Sequence, residues 1–229
     1  MERFVSRQSL SWALTGAVLA LLTVSSVGCK GLFSTVAYLV KGTNVDAEYD
    51  GLKHHKVAVI VRPPAGASAD AHYGARELAQ KIGEHLQRNV RGIKVVEQQE
   101  VERWMDDLNN LEQDDYRAAG RALKADQVVA VELEEFRLNN NSTSLYTGRC
   151  GYRIVVYDLK DKAGQIVYEH TPLEATVYPP NHGIPIGEKT RAGFRRIFVG
   201  ALAEEIAQRF YPHDSTVHFA RDSATLEHH

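Results

Sequence analysis

The run Lys56-Val57-Ala58-Val59-Ile60-Val61 constrains the fold more than any other stretch of the chain. Side chains in a strand alternate between two faces, so a run with no polar alternation has to be buried on both. That is the pattern of a strand inside a sheet covered by helices on each side. Pro63-Pro64-Ala65-Gly66 ends the run. Leu78, Ile82, Leu86 and Val90 then recur every four residues and define one apolar helix face. Gly92 closes that helix, and Ile93 to Val96 supplies a second short strand. A strand, a helix and a strand in this order predict parallel pairing.

The rest of the chain extends the same architecture. A short helix is expected from Glu100 to Leu108, with Val101, Trp104, Met105 and Leu108 inward. Asp114 or Asp115 caps the next, Tyr116 to Leu123, whose small residues Ala118, Ala119 and Ala122 allow close packing. Gln127 to Leu138 alternates Val129, Val131 and Leu133 with Ala130, Glu132 and Glu134, as a half-buried strand does. Asn139-Asn140-Asn141-Ser142 reads as a polar loop. Arg149 to Leu159 and Gln165 to Val177 form a hairpin closed by a turn containing Gly164. A last helix runs from about Thr190 to Phe210, with Phe194, Phe198, Leu202, Ile206 and Phe210 on one face and Pro212 after it. The expected fold is α/β: a mixed sheet of about five strands packed with helices over residues 54–213.

Three stretches, in this order, carry a resemblance. They are Lys56 to Val61; Ala118-Ala119-Gly120-Arg121-Ala122-Leu123-Lys124-Ala125-Asp126-Gln127-Val128-Val129; and Tyr152-Arg153-Ile154-Val155-Val156-Tyr157-Asp158-Leu159 followed by Gly164-Gln165-Ile166-Val167-Tyr168. Together they resemble the periplasmic lipoprotein superfamily of the curli assembly/transport lipoprotein, the lipoprotein activator of penicillin-binding proteins and the TolB amino-terminal domain. The likeness spans Lys56 to Tyr211, and Lys124 stands where relatives often have Gly. It implies a binding or assembly role without catalysis. Secretion-pore members insert long amphipathic hairpins into the membrane. The sequence shows no pair of roughly ten-residue alternating segments of that kind.

The N-terminus gives the address. Arg3 and Arg7 are followed by an uncharged stretch from Gln8 to Gly28, dominated by Ala, Leu and Val between Trp12 and Val24. It ends at Ser26-Val27-Gly28-Cys29, which resembles a lipobox with Ser26 where Leu is usual. A positive end, a short apolar core and small residues before a cut make a signal peptide over residues 1–28. A retained anchor helix competes with this reading, because about 20 apolar residues span a bilayer, and so does an ordinary cleaved signal. Lipidation at Cys29 is the reading favoured by the terminal small-small-Cys pattern. Acyl chains on its thiol and on the new α-amino group would hold the protein stably, since two chains anchor where one is marginal. Lys30, in place of the aspartate of inner-membrane retention, points to an outer-membrane, periplasm-facing address. Residues 29–53 then form a lipidated N-terminus and linker, and residues 214–229 a tail. Leu226-Glu227-His228-His229 looks like the start of a polyhistidine tag.

Few residue patterns suggest chemistry. Removal of the signal leaves roughly 200 residues, the size of one domain. The net charge of −2 argues against a nucleic-acid partner. Cys150 is the only thiol left once Cys29 is acylated, which excludes an internal disulfide. It reads as a half-buried strand residue; as a reactive thiol it would draw on Arg149 and Arg153 to lower its pKa. Glu132 and Glu134 would stand about 7 Å apart on one strand face, a spacing open to paired-carboxylate hydrolysis but commoner on a solvated strand. The histidines show no i, i+4 pair on a helix, so neither a metal nor a cofactor is expected. Thr176 to Gly187 is stiffened by Pro179, Pro180 and Pro185 and is expected to display Tyr178, His182 and Ile184 to a partner; folding of this loop against its own domain is the alternative. The expected function is a non-catalytic, lipid-anchored envelope protein that binds another protein or its own copies. A lipid-anchored periplasmic hydrolase using Glu132 with Glu134, or Cys150, is the alternative.

Overall fold

A computed structural model describes residues 44–107, 115–140, 145–161, 163–180 and 183–214. Residues Asp46–His213 form one unit; a second takes the chain ends, Met1–Val45 and Asp214–His229. The signal peptide, Cys29 and the tag-like end lie outside the described residues.

The apolar run forms β1 (Lys56–Arg62), whose five central residues are all buried. A helix, α1 (Ala69–Asn89), follows after Ser68, whose hydroxyl accepts the Ala71 amide at 3.3 Å and caps the first turn. Leu78, Ile82 and Leu86 are fully buried on its inner face. Val90, expected on the same face, is the residue past the helix end and is buried there instead. Gly74 lets the helix approach the sheet closely: a Cβ there would stand 2.6 Å from the Phe136 ring. Strand β2 (Lys94–Val95) then pairs parallel to β1.

Two short helices come next, α2 (Gln98–Asp106) and α3 (Tyr116–Ala122). Asp115 caps α3 by accepting the Arg117 amide at 2.9 Å; Asp114 and Leu108 lie outside the described residues. The Ala125-Asp126 turn after α3 has a concrete task. The Asp126 carboxylate accepts the Lys56 amide at 2.7 Å, and its backbone N–H donates to the Lys56 carbonyl at 2.7 Å. Leu159 N–H donates to the Asp126 carbonyl at 2.9 Å. One residue therefore aligns the ends of three strands. Lys124, immediately before the turn, has φ +52°, the left-handed conformation in which Gly is at ease and Lys is strained.

Strand β3 (Gln127–Asn140) pairs parallel to β1 on one side and antiparallel to β4 (Leu145–Asp158) on the other. This pair corrects two expectations. Asn139 and Asn140 belong to the strand rather than to a loop, and two paired 14-residue strands are present where no long alternating hairpin was expected. A bulge in β3 disguises the alternation: Leu133 pairs with Tyr152 and Glu135 with Gly151, leaving Glu134 as the extra residue. The hairpin is not bare, since Phe136, Tyr146 and Cys150 are buried in one core cluster with Phe194 and Phe198.

The expected strand Gln165 to Val177 is two strands. β5 (Gln165–His170) and β6 (Thr176–Tyr178) both pair with β4, and β7 (Ile184–Pro185) adds a third short partner. The sheet thus has seven strands rather than about five, in the order β2-β1-β3-β4-β5 with β6 and β7 alongside β4. Pro172 cannot donate to a ladder, and the chain leaves the sheet around it. The last helix, α4 (Arg191–Ala207), starts at Thr190, whose hydroxyl accepts the Gly193 amide at 3.0 Å. Phe210 sits in the 3-10 turn that follows.

Two cores result. One face of the sheet packs against α1 and α4 along most of its width. The other is covered by α2 and α3 only near β1, β2, the start of β3 and the end of β4. The interval expected to be linker also contributes at its end: Leu52 is fully buried, and the Tyr49 ring stacks on Tyr168 at 5.5 Å.

Candidate functional site

Cys150 lies at mid-strand in β4 and faces the α4 core, fully buried. Arg149 and Arg153 occupy the opposite face, where alternation puts them, and pair with Glu135 and with Glu132 and Glu169. The thiol therefore gains nothing from them. Burial, reinforced by Glu205 and Glu135, pushes its pKa up to about 12. This environment is opposite to that of a reactive cysteine.

Glu132 is held by the Arg153 guanidinium at 3.1 Å, and Arg153 in turn reaches Glu169 at 2.9 Å. Glu134 is exposed on the bulge. The two carboxylates are thus differently engaged: one belongs to a cross-strand ion-pair ladder, and the other has no partner among the described residues.

The segment expected to display partner contacts turns inward. The Tyr178 ring lies 6.3 Å from Phe194 and 6.2 Å from Phe198, over the face of α4. Ile184 is partly buried against the same core and pairs with Tyr146. His182 lies outside the described residues. Tyr178 and Ile184 are therefore brought together by the core rather than by an open surface. In sequence their spacing among prolines resembles a display loop; the aromatic rings of α4 that receive them give no local signal.

A polar network fills the space between β4, β5 and the end of α4. Glu205 accepts the Tyr152 hydroxyl at 2.7 Å and the Thr176 hydroxyl at 3.0 Å. Arg209 donates to Glu48, which also accepts the Tyr168 hydroxyl at 2.6 Å. His170 stands 3.5 Å from Arg209, and burial, then that guanidinium, holds its pKa below the ordinary histidine value. These contacts tie the start of the domain to the edge of its sheet and are structural in character.

Among the described residues, the sheet margin is open. β5 ends the strand order. Between the pairs Ile154↔His170 and Cys150↔Thr176 the ladder stops, so Gly151, Tyr152 and Arg153 face the looped-out Thr171–Ala175. A cavity of about 390 Å³ opens at this gap, lined among others by Glu134, Glu135, Gly151, Leu173 and Glu174. Ile166, Val167, Leu173 and Val177 are exposed along the same margin, Leu173 completely. Of these residues the sequence singled out Glu134, as a candidate carboxylate, and placed Val177 in the candidate loop; the others carried no functional expectation. The available signal was Pro172, which interrupts an otherwise continuous strand pattern. Among the described residues no helix is long and apolar enough to cross a membrane, and no group of His, Cys, Asp and Glu is arranged to hold a metal ion.

No family model matches the chain, and no curated protein does. Solved structures give distant likenesses. The PelC dodecamer from Paraburkholderia phytofirmans is 12% identical with a TM-score of 0.36, covering 72% of this chain and 92% of that one. Lipoprotein GNA1162 from Neisseria meningitidis is 13% identical with a TM-score of 0.39, covering 67% and 98%. A minor lipoprotein from Acinetobacter baumannii is 14% identical with a TM-score of 0.31, covering 69% and 92%. At such identities and TM-scores the likeness carries no argument about what this chain does.

Proposed function

We propose that the chain is a lipid-anchored cell-envelope protein whose α/β domain binds another protein and performs no catalysis. The anchor rests on the sequence: Arg3 and Arg7, the uncharged stretch to Gly28, and Ser26-Val27-Gly28-Cys29. Lys30 supports the outer membrane, with the domain facing the periplasm. The observation that carries the non-catalytic reading is the use made of the residues best suited to chemistry. Cys150 is a core residue with its pKa pushed up, and Glu132 is committed to Arg153.

Two measurements test the proposal. Intact mass of the native protein should show cleavage before Cys29 and added acyl mass; a chain still starting at Met1, or cleaved without acyl mass, contradicts the anchor. Separately, Glu132→Gln, which removes one carboxylate of the candidate pair, and Cys150→Ala should each leave cellular function intact. Loss of function in either, with fold and partner binding preserved, would overturn the binding-module reading and favour the hydrolase alternative. Light scattering of the full chain in detergent reports whether binding includes its own copies.

A further inference from the structure

The margin of the sheet at β5 and β6 combines three features. First, its backbone is open: no described strand pairs with β5 on its outer side, and β4, still paired with β3, has no strand partner on its other side over Gly151–Arg153. An edge of this kind is a template for an added strand. Second, it is apolar. Four of the seven large apolar side chains exposed among the described residues, Ile166, Val167, Leu173 and Val177, fall within this short stretch. Isolated exposed apolar residues are ordinary, but a run along an open edge marks an interaction surface. Third, it is acidic where the cavity opens. Three carboxylates and one guanidinium line the cavity: Arg137 is paired with Glu135, which Arg149 also holds, whereas Glu134 and Glu174 have no ion-pair or hydrogen-bond partner among the described residues. Gly151 lies between the edge and Glu134, and a Cβ there would meet nothing closer than 3.7 Å. The absence of a side chain leaves a passage from the edge to that carboxylate.

We propose that this margin binds an extended segment of a partner protein by strand addition, its apolar residues against Val167 and Leu173 and a Lys or Arg in the cavity beside Glu134 and Glu174. Charge selects this occupant. The free carboxylates favour a cationic side chain, and they oppose an anionic membrane surface, which a cationic margin would suit. A second copy of the chain would bring the same unpaired acids with it, and like charges across a strand pair are destabilising. The inference rests on the binding-module reading above and gives that partner a chemistry.

The test uses the full chain in detergent and fluorescence anisotropy with three dye-labelled peptides of equal length. These are alternating Val and Lys, alternating Val and Glu, and the Val-Lys peptide with a central Pro. The Val-Lys peptide should bind saturably and less tightly as salt is raised. The Val-Glu and Pro-interrupted peptides should bind about tenfold more weakly or not at all. The double variant Glu134→Gln, Glu174→Gln should weaken Val-Lys binding about fivefold with its thermal transition unchanged, as both side chains are exposed. Leu173→Lys, fully exposed and safe for folding, should also weaken it. Equal binding of the three peptides, or an unaffected double variant, overturns the inference. Self-association abolished by Leu173→Lys would assign the edge to a second copy, and vesicle binding abolished by it to the membrane. Photo-crosslinking in intact envelopes separates the two levels. A partner crosslinked through another face removes the edge and keeps the binding reading; no crosslinked partner at all removes the reading itself.

Discussion

Strand β4 runs through two different environments on a single face of the sheet. At its C-terminal end Val155 and Tyr157 point into the core formed with α2 and α3. Towards its start, on that same face, Arg153, Gly151 and Arg149 meet only carboxylates and solvent. The opposite face stays buried throughout, from Tyr146 to Val156. The sheet is therefore covered twice at its parallel end and once at its antiparallel end. This difference gives one half apolar burial on both faces and leaves the other half with one buried face and one exposed, charged and partly unpaired face. Elements that bind tend to come from such less protected regions, because a surface covered on both sides has no face to offer.

The largest expected effect lies in the doubly covered half. Ile60→Ala removes a buried side chain between two packed layers and should cost about 2–5 kcal/mol. Arg153→Ala in the other half should cost less than about 1 kcal/mol, since the carboxylates it leaves are partly hydrated. Chemical denaturation of both variants measures the contrast, and equal costs would break it. Next comes the joint between the halves. Asp126→Ala deletes the acceptor of the Lys56 amide and should cost about 2 kcal/mol, with Asp126→Asn recovering part of it. Thermal melts read this, and a change within error would mean that the backbone bonds alone align the three strands.

The parallel end was legible in the sequence because its signals are local. An uninterrupted apolar run declares β1, a four-residue period declares α1, and a helix capped by Asp115 leads to the Ala125-Asp126 turn. The antiparallel end was legible in part: the hairpin of β4 and β5 about Gly164 was expected, and the rest was not. The bulge at Glu134 shifts the alternation of β3 midway, so a 14-residue strand reads as a shorter one followed by an Asn-rich loop. β6 and β7 are too short to carry a period, and they exist only because β4 offers them an edge. Tyr178 and Ile184 were legible as unusual residues; their destination depends on Phe194 and Phe198, which lie outside the local sequence window. The cavity beside Gly151 depends on a gap between two ladders, and no sequence period encodes a gap.

A smaller effect tests the strain at the joint. Lys124 adopts φ +52°, where a side chain is disfavoured, so Lys124→Gly should stabilise the domain by about 1 kcal/mol. The greater freedom of Gly in the unfolded chain offsets part of the relief, which is why the gain stays modest. Lys124→Ala should show no gain, because Ala keeps the Cβ that causes the strain. A higher melting temperature for Gly alone isolates the conformational origin.

The smallest expected effect concerns pH and compares two histidines. His85 on α1 and His170 on β5 both have folded pKa values below the ordinary 6.5, in each case first because burial disfavours the charged ring. Arg88 and Lys81 add to this for His85 against Glu204 and Glu84; Arg209 adds to it for His170 against Glu48 and Glu205. The unfolded chain therefore binds more protons than the fold once the pH falls below about 6.5. Their contribution is present above that pH and is lost as the pH falls from there through the folded values. Asp70 works in the same direction at a lower pH, since the Arg191 hydrogen bond lowers its pKa. Urea midpoints between pH 7.5 and 5.5 should thus decline, and His85→Gln with His170→Gln should flatten that decline while leaving the acid limb of Asp70 in place. If only His170→Gln flattens it, the sensitivity belongs to the margin beside the polar network. If only His85→Gln does, it belongs to the helical layer, and the sheet margin keeps its structure on mild acidification.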